Sequence, residues 1–341
     1  MSGAKITVAV CTHNRADLLN DCLAALVEQE MADEAVILVV ANCCSDHTQA
    51  VAESFQKRAD VRVVSEPTPG LSHARNRALR DASTEFIAYL DDDAIPEQGW
   101  LRAILDAFAE TGADVVGGRI VPYWRGERPW WLRPQLNPLF SEIDLGPDTF
   151  LSNGFRPAGG NMAFRLSVLR SLGGFDARLG MVSAGGCDTT VYLGEETRLV
   201  HELAREGGRI AYCGRAAVRH LTDPRRCTLS GLRRRSQQLG RTLVAVQPTA
   251  FDPDELTREY LWSKACAAGC LLRFHLADAL IFHLVAASRL AMVREVYATT
   301  RQTRSVVARY GSAVRELGRG LAGLAFRTIA GRPPAPPSGC L

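Results

Sequence analysis

The sequence predicts an α/β fold: a mostly parallel sheet with flanking helices, plus a C-terminal helical region. Three observations carry this. Over the first 120 residues, short β-branched runs alternate with segments of helical spacing. The polar motifs Thr12–Arg15, Asn42–Asp46 and Asp91–Asp93 each follow directly on an apolar run. From Asp254 onward the pattern is helical. Strands that alternate with crossover helices form parallel sheets covered on both faces, with the ligand crevice beyond the carboxyl ends of the strands.

The elements follow in order. Ile6–Cys11 is the first strand, and Asp17–Glu30 a helix with Leu18, Leu19, Cys22, Leu23, Leu26 and Val27 on one face. Ala35–Val40 is a second strand and His47–Lys57 a helix. Val61–Val64 is a third strand, followed by a helix over Ser72–Ala82 with Arg and Asn on its open side. Phe86–Leu90 is a fourth strand, Gln98–Ala109 a helix and Asp114–Val116 a fifth strand. Residues 120–158 crowd Trp124, Pro129, Trp130, Trp131, Pro134 and Pro138 without periodicity. They read as a long loop, either a lid or a segment that packs its own tryptophans. Residues 159–224 return to mixed α/β, and the Pro-rich segment 332–341 reads as a disordered tail.

Composition narrows the class. With 47% hydrophobic and 23% charged residues the chain has the makings of a packed core. A net charge of +3 gives no case for nucleic acid. The ten cysteines form no Cys-x-x-Cys and no zinc-finger spacing, so reduced thiols in the cytoplasm are expected. No leader is expected before Ile6, and no stretch of Leu261–Val293 is free of charge for long enough to span a bilayer.

Four constellations could carry chemistry. Asp91, Asp92 and Asp93 stand at a strand exit, and three adjacent carboxylates call for a neutralising cation. Oxygen ligands favour Mn2+ or Mg2+, and a diphosphate would complete the ion's shell. Glu195 and Glu196 open a helical stretch, where a carboxylate either acts as general base or merely complements the helix dipole. Gly159-Gly160-Asn161 and Gly173-Gly174 permit close backbone approach or tight turns. Finally, His220 is followed by Arg225, Arg226, Arg233, Arg234, Arg235 and Arg241. These arginines could clamp a diphosphate, face an anionic lipid surface or be solvated.

Taken in order, these segments resemble the family 2 glycosyltransferases, which have the Rossmann-like GT-A fold. The resemblance covers roughly residues 4–240. It rests on Val8–Arg15, Glu66–Asn76, Asp91–Asp93, Gly160–Ala163 with Gly173–Asp176, and Gly194-Glu195-Glu196. It implies transfer of a sugar from a nucleotide-diphosphate donor to a saccharide or lipid-linked acceptor, with inversion at the anomeric carbon. The metal would be held by Asp93, Asp91 and His220. The donor would be met by Thr12, Asn14, Arg15, Asn42, Arg75, Asp91 and Asp92, with Arg233 and Arg234 as clamp. Gly160 and Asn161 would face the acceptor, and Glu196, beside Glu195, would be the base. Two positions depart from the family pattern. Ala41 stands where an Asp usually contacts the nucleobase, and Glu196 where the base is usually Asp.

The expected organisation is a catalytic domain over 1–240, a helical region over 241–331 and the tail. The helical region is either a cap on the catalytic domain or an interfacial amphipathic segment. Residues 294–332 carry eight Arg against Glu295 and Glu316, which suits an anionic membrane surface. A cytoplasmic protein is expected, with a peripheral place at the inner membrane face as the variant of that reading. Two other functions stay open: a non-catalytic sugar-nucleotide-binding protein and a nucleotidyltransferase. The latter usually places a Gly-rich phosphate loop where this chain has Thr12–Arg15.

Overall fold

The computed structural model describes residues 4–180, 193–222, 224, 227–247, 250–272 and 276–300. The described residues fall into two compact units, one drawn from 4–125 and 141–222, the other from 126–140 and 224–300.

Among the described residues, the first unit is built on a nine-stranded sheet. Strands β1 (Ile6–Thr12), β2 (Ala35–Asn42), β3 (Val61–Glu66) and β4 (Phe86–Asp91) pair in parallel, in the order β3-β2-β1-β4. Every residue of β2 is buried, as expected when helices cover both faces. Alternation along β1 sorts the two layers. Ile6, Val8 and Val10 pack with Leu19 and Leu23 of α1 (Ala16–Val27), and with Trp100 and Ile104 of α4 (Trp100–Thr111). Between them, α2 (Thr48–Ser54) adds Ala52 to the same layer. Ala9 faces the other way, with Ala74 and Ala78 of α3 (Leu71–Asp81), Leu169 of α5 (Leu166–Ser171) and Leu199 and Leu203 of α6 (Glu195–Arg205).

Beyond β4 the sheet is mixed. A short strand β5 (Ala94–Pro96) leaves the aspartate turn. Strand β6 (Val115–Trp124) follows α4, and β7 (Thr149–Leu151) and β8 (Asn161–Arg165) precede α5. The long β9 (Ile210–Thr222) runs parallel to β6 and antiparallel to both β5 and β7. Strand β8 inserts antiparallel between β4 and β6.

The fifth strand therefore extends well past the expected Val116. Residues 120–124, expected as the start of a loop, continue β6 against β9 beyond a register shift between Gly118 and Ile120. Gly117, Gly118 and Pro122 hid this strand from a propensity reading. Gly118 has a packing reason, because a Cβ there would lie 2.0 Å from the Ala216 carbonyl oxygen and 2.2 Å from Asn161 Nδ2.

In the second unit, Pro134–Phe140 forms a 3-10 segment. Helices α7 (Leu229–Val246), α8 (Pro253–Leu272) and α9 (Leu276–Thr300) make up the rest of what is described. Thr228 caps α7 by accepting from the Gly231 amide, and Ser236 donates to the Leu284 carbonyl at 2.6 Å to fix α7 on α9. Among the described residues no helix is long and apolar enough to cross a membrane. Arg225, Arg226 and the segment 301–341 lie outside the described residues.

Candidate active site

The aspartate motif begins where β4 ends. Asp91 is the last residue of that strand, Asp92 and Asp93 turn the chain, and β5 then pairs antiparallel with β9. That ladder sets Ala94 opposite His220, and the Leu221 amide donates to the Asp93 carbonyl at 2.8 Å. It carries His220 across 127 positions of sequence to within 3.2 Å of Asp93, Nε2 to Oδ1. One ligand atom each from Asp91, Asp93 and His220 lie within 4.8 Å of one another. Two carboxylates and an imidazole at this spacing fit a divalent ion that accepts oxygen and nitrogen, Mn2+ or Mg2+.

Asp92 behaves differently. Its side chain is turned into the fold, and Arg15 Nη1 donates to Asp92 Oδ1 at 2.9 Å and to Asp93 Oδ2 at 3.1 Å. Burial pushes the Asp92 carboxyl up to about 6, with Arg15 pulling the other way. Arg15 thus balances the motif from within and leaves Asp93 Oδ1 toward His220.

Arg75, on α3, is 2% exposed. Its Nη1 donates to Glu195 Oε1, its Nη2 lies 3.5 Å from Asp91 Oδ1, and its planar end sits 5.5 Å from the centre of the Phe175 ring. The paired glycines owe their identity to this cluster. A Cβ on Gly159 would lie 2.3 Å from Arg75 Nη2, and one on Gly160 2.7 Å from Asp91 Oδ2. A side chain at either position would have to displace its neighbour.

Asn161 and Asn42 are both committed inside the fold. Asn161 accepts from Trp100 Nε1 at 2.9 Å and donates to the carbonyls of Arg119 at 2.9 Å and Ala216 at 2.8 Å. Asn42 donates to the carbonyls of Glu66 at 3.0 Å and Thr68 at 2.7 Å, and accepts from the Gly70 amide at 2.9 Å. It ties the exit of β2 to the turn that starts α3. Asn14, with φ of 52°, accepts from the amides of Ser45 at 2.7 Å and Asp46 at 3.2 Å. His13 Nδ1 lies 2.6 Å from the Asn42 carbonyl oxygen. Thr12 is buried at the end of β1, level with Ala41 on β2. The exits of β1 and β2 are thereby joined into one rim. His13 fell within the Thr12–Arg15 motif without a role of its own, and Trp100 did not stand out, because an isolated aromatic carries no periodic signal.

Glu195 and Glu196 form the first turn of α6 after Gly194, whose φ is 92°. Glu195 points to Arg75. Burial pushes Glu196 up to about 8, with the charge of Glu195 adding to the shift and Arg75 opposing it. A carboxyl poised near neutrality suits proton acceptance. Arg233 and Arg234 lie on α7, in the second unit.

Residues 7–173 match the family model described as glycosyl transferase family 2. This segment of the chain belongs to that family. The family 2 relatives include the pre-mycofactocin glycosyltransferase of Mycobacterium tuberculosis, 31% identical over 169 residues. That match takes in 47% of this chain but 32% of the relative, so the chain spans about a third of that protein's length. The glucosyl-dolichyl phosphate glucuronosyltransferase of Haloferax volcanii is 25% identical over 63% of this chain and 69% of its own length. The succinoglycan biosynthesis protein ExoM of Rhizobium meliloti is 26% identical over 70% of this chain and 73% of its own. Among solved structures, the mannosyltransferase PcManGT of Pyrobaculum calidifontis, in complex with GDP-Man and Mn2+, superposes with a TM-score of 0.55 at 19% identity. It covers 96% of this chain and 84% of the other, a likeness of fold. The shared architecture is the GT-A fold that the family 2 motifs imply.

Proposed function

We propose that this family 2 chain is a metal-dependent, inverting glycosyltransferase that moves a sugar from a nucleoside-diphosphate donor to an acceptor hydroxyl. The observation that carries the reading is the meeting of two half-sites. The Asp91, Asp93 and His220 trio stands at the exit edge of the sheet, and Arg75 bridges from Asp91 to the helix turn that bears Glu196. Mn2+ or Mg2+ held by Asp91, Asp93 and His220 would neutralise the charge that develops on a departing diphosphate.

The protein's own groups supply the rest. Glu196, in its ionised form, accepts the acceptor hydroxyl's proton. The freed oxygen attacks the anomeric carbon as the bond from that carbon to the phosphate oxygen breaks. One displacement inverts the configuration and releases the nucleoside diphosphate. The rim of Thr12, Asn14 and Asn42 frames the nucleoside end. Ala41, in place of the usual Asp, leaves the base contact to neighbouring groups of that rim. Asn161 and Gly160 act by holding the trio's surroundings in shape.

A saccharide acceptor, free or lipid-linked, is supported by relatives that include a glucosyl-dolichyl phosphate glucuronosyltransferase and a succinoglycan biosynthesis protein. A cytoplasmic place with peripheral contact to an anionic membrane belongs to the same proposal. Arg233, Arg234, Arg235 and Arg241 on α7 are its described basic groups. Its check is detergent-free fractionation at low salt, and recovery entirely in the soluble pool would refute the contact.

A thermal-shift panel of GDP-, UDP- and dTDP-sugars, each with Mn2+ and Mg2+, tests the function. A donor that binds the native state raises the melting point. Transfer assays with that donor should then give product from the native chain and none from Glu196→Gln. Equal rates from the two would remove Glu196 from its role.

A further inference from the structure

Three polar residues occupy one face of α3, spaced as a helix repeats: Ser72, Arg75 and Asn76. Each reaches toward the segment after α5 or the first turn of α6. Ser72 donates to the Leu179 carbonyl at 2.6 Å. Asn76 donates to the Phe175 carbonyl at 2.7 Å and accepts from the Phe175 amide at 2.8 Å. Arg75 alone also reaches back to the metal trio, so its two nitrogens join Asp91 at one end and Glu195 at the other.

That burial argues against the donor-binding role expected from the sequence. A residue that clamps a diphosphate must present N–H groups to the crevice. Arg75 is 2% exposed, Glu195 is 4% exposed, and Gly159 closes over the guanidinium. The planar fork of an arginine can hold two carboxylates at a fixed separation, which the point charge of a lysine cannot.

We propose that Arg75 is a positioning residue. It locks the first turn of α6, through Glu195, to the Asp91 edge of the metal trio, and so sets where Glu196 stands relative to the donor. The proposal rests on the glycosyltransferase reading above. It assigns to Arg75 an effect on turnover rather than on donor affinity.

The test compares Arg75→Lys, Glu195→Gln and the double variant, with donor affinity from calorimetry in Mn2+ and kcat at saturating donor. Both single variants should bind donor within about threefold of the native chain and lose about 100-fold in kcat, the scale of a misplacement near 1 Å. The double variant should be no slower than about the slower single one, because both changes break the same link. Hydrogen exchange in residues 195–205 should quicken in Glu195→Gln, reporting the loosened turn directly. A tenfold or greater loss of donor affinity in Arg75→Lys, with native turnover in Glu195→Gln, would make Arg75 a donor ligand and overturn the proposal. Should Arg75→Lys fail to fold, Glu195→Gln decides alone: unchanged kcat overturns the link, and reduced kcat with unchanged affinity supports it. A native chain that binds no sugar nucleotide with either metal would bring down the glycosyltransferase reading itself, and this assignment with it.

Discussion

Gly160→Ala is a small change with a large expected effect on the metal site. The added Cβ would lie 2.7 Å from Asp91 Oδ2 and 3.1 Å from Asp91 Cγ. To move from 2.7 to the 3.4 Å of ordinary contact, the carboxylate must shift by about 0.7 Å. Metal sites accept departures of about 0.2 Å in ligand distance. The Asp91 side chain is 35% exposed, so it has somewhere to go and the fold survives the displacement. The loss should therefore fall on the ion. Disturbing the support of a ligand typically costs about 10- to 100-fold in metal affinity, or about 1.4 to 2.8 kcal/mol. Calorimetric titration with Mn2+, in the presence of the donor's nucleotide, measures this. A melting scan of the metal-free protein should show little change, since Gly160 is not in the left-handed backbone region. Native Mn2+ affinity in Gly160→Ala would refute Asp91 as a ligand.

Other outcomes follow from the same geometry. Transfer at saturating donor should rise with pH from about 6 to about 9, because Glu196 must lose a proton and burial holds it up to about 8. The same raised carboxyl contributes stability that is full below 4.5 and is lost as pH rises through about 8, so across that window the melting point of Glu196→Gln should depend less on pH than that of the native chain. Asn161→Ala strands Trp100 Nε1 and the carbonyls of Arg119 and Ala216, and should cost about 3 kcal/mol by urea denaturation; a loss below about 1 kcal/mol would contradict the structural role of that amide. Arg15→Met should destabilise the protein at neutral pH by leaving buried Asp92 without its cation, and Arg15→Met with Asp92→Asn should recover much of the loss in a melting experiment.

Much of the first unit was legible because its signals are local. β2 declares itself by Ala35–Val40, and α1 by leucines at helical spacing, since a sheet covered on both faces needs continuous apolar runs and a surface helix needs one apolar stripe. Asp91–Asp93 could be placed at a strand exit for the same reason. The long reach of β9 was not legible. Its pairing with β5 spans more than a hundred positions, and a three-residue strand has no period to read. His220 could therefore be named from a resemblance but not positioned. The inward commitment of Asn42, Asn161 and Asp92 was hidden as well. A polar residue in a motif has the same letter whether it faces a ligand or holds two loops together, and only its partners decide.

The antiparallel insertion of β8 has a consequence for how such a chain can change. Leu90 and Asn161 are direct partners across that ladder, so Asp91 and Gly160 emerge side by side from strands running in opposite directions. Adjacent strands lie about 4.8 Å apart whatever their side chains. The backbone itself is thus the ruler between the aspartate turn and the paired glycines. Under the function proposed above, a different sugar or acceptor would have to be accommodated by the loops around that ruler, because no substitution within the two strands can lengthen it.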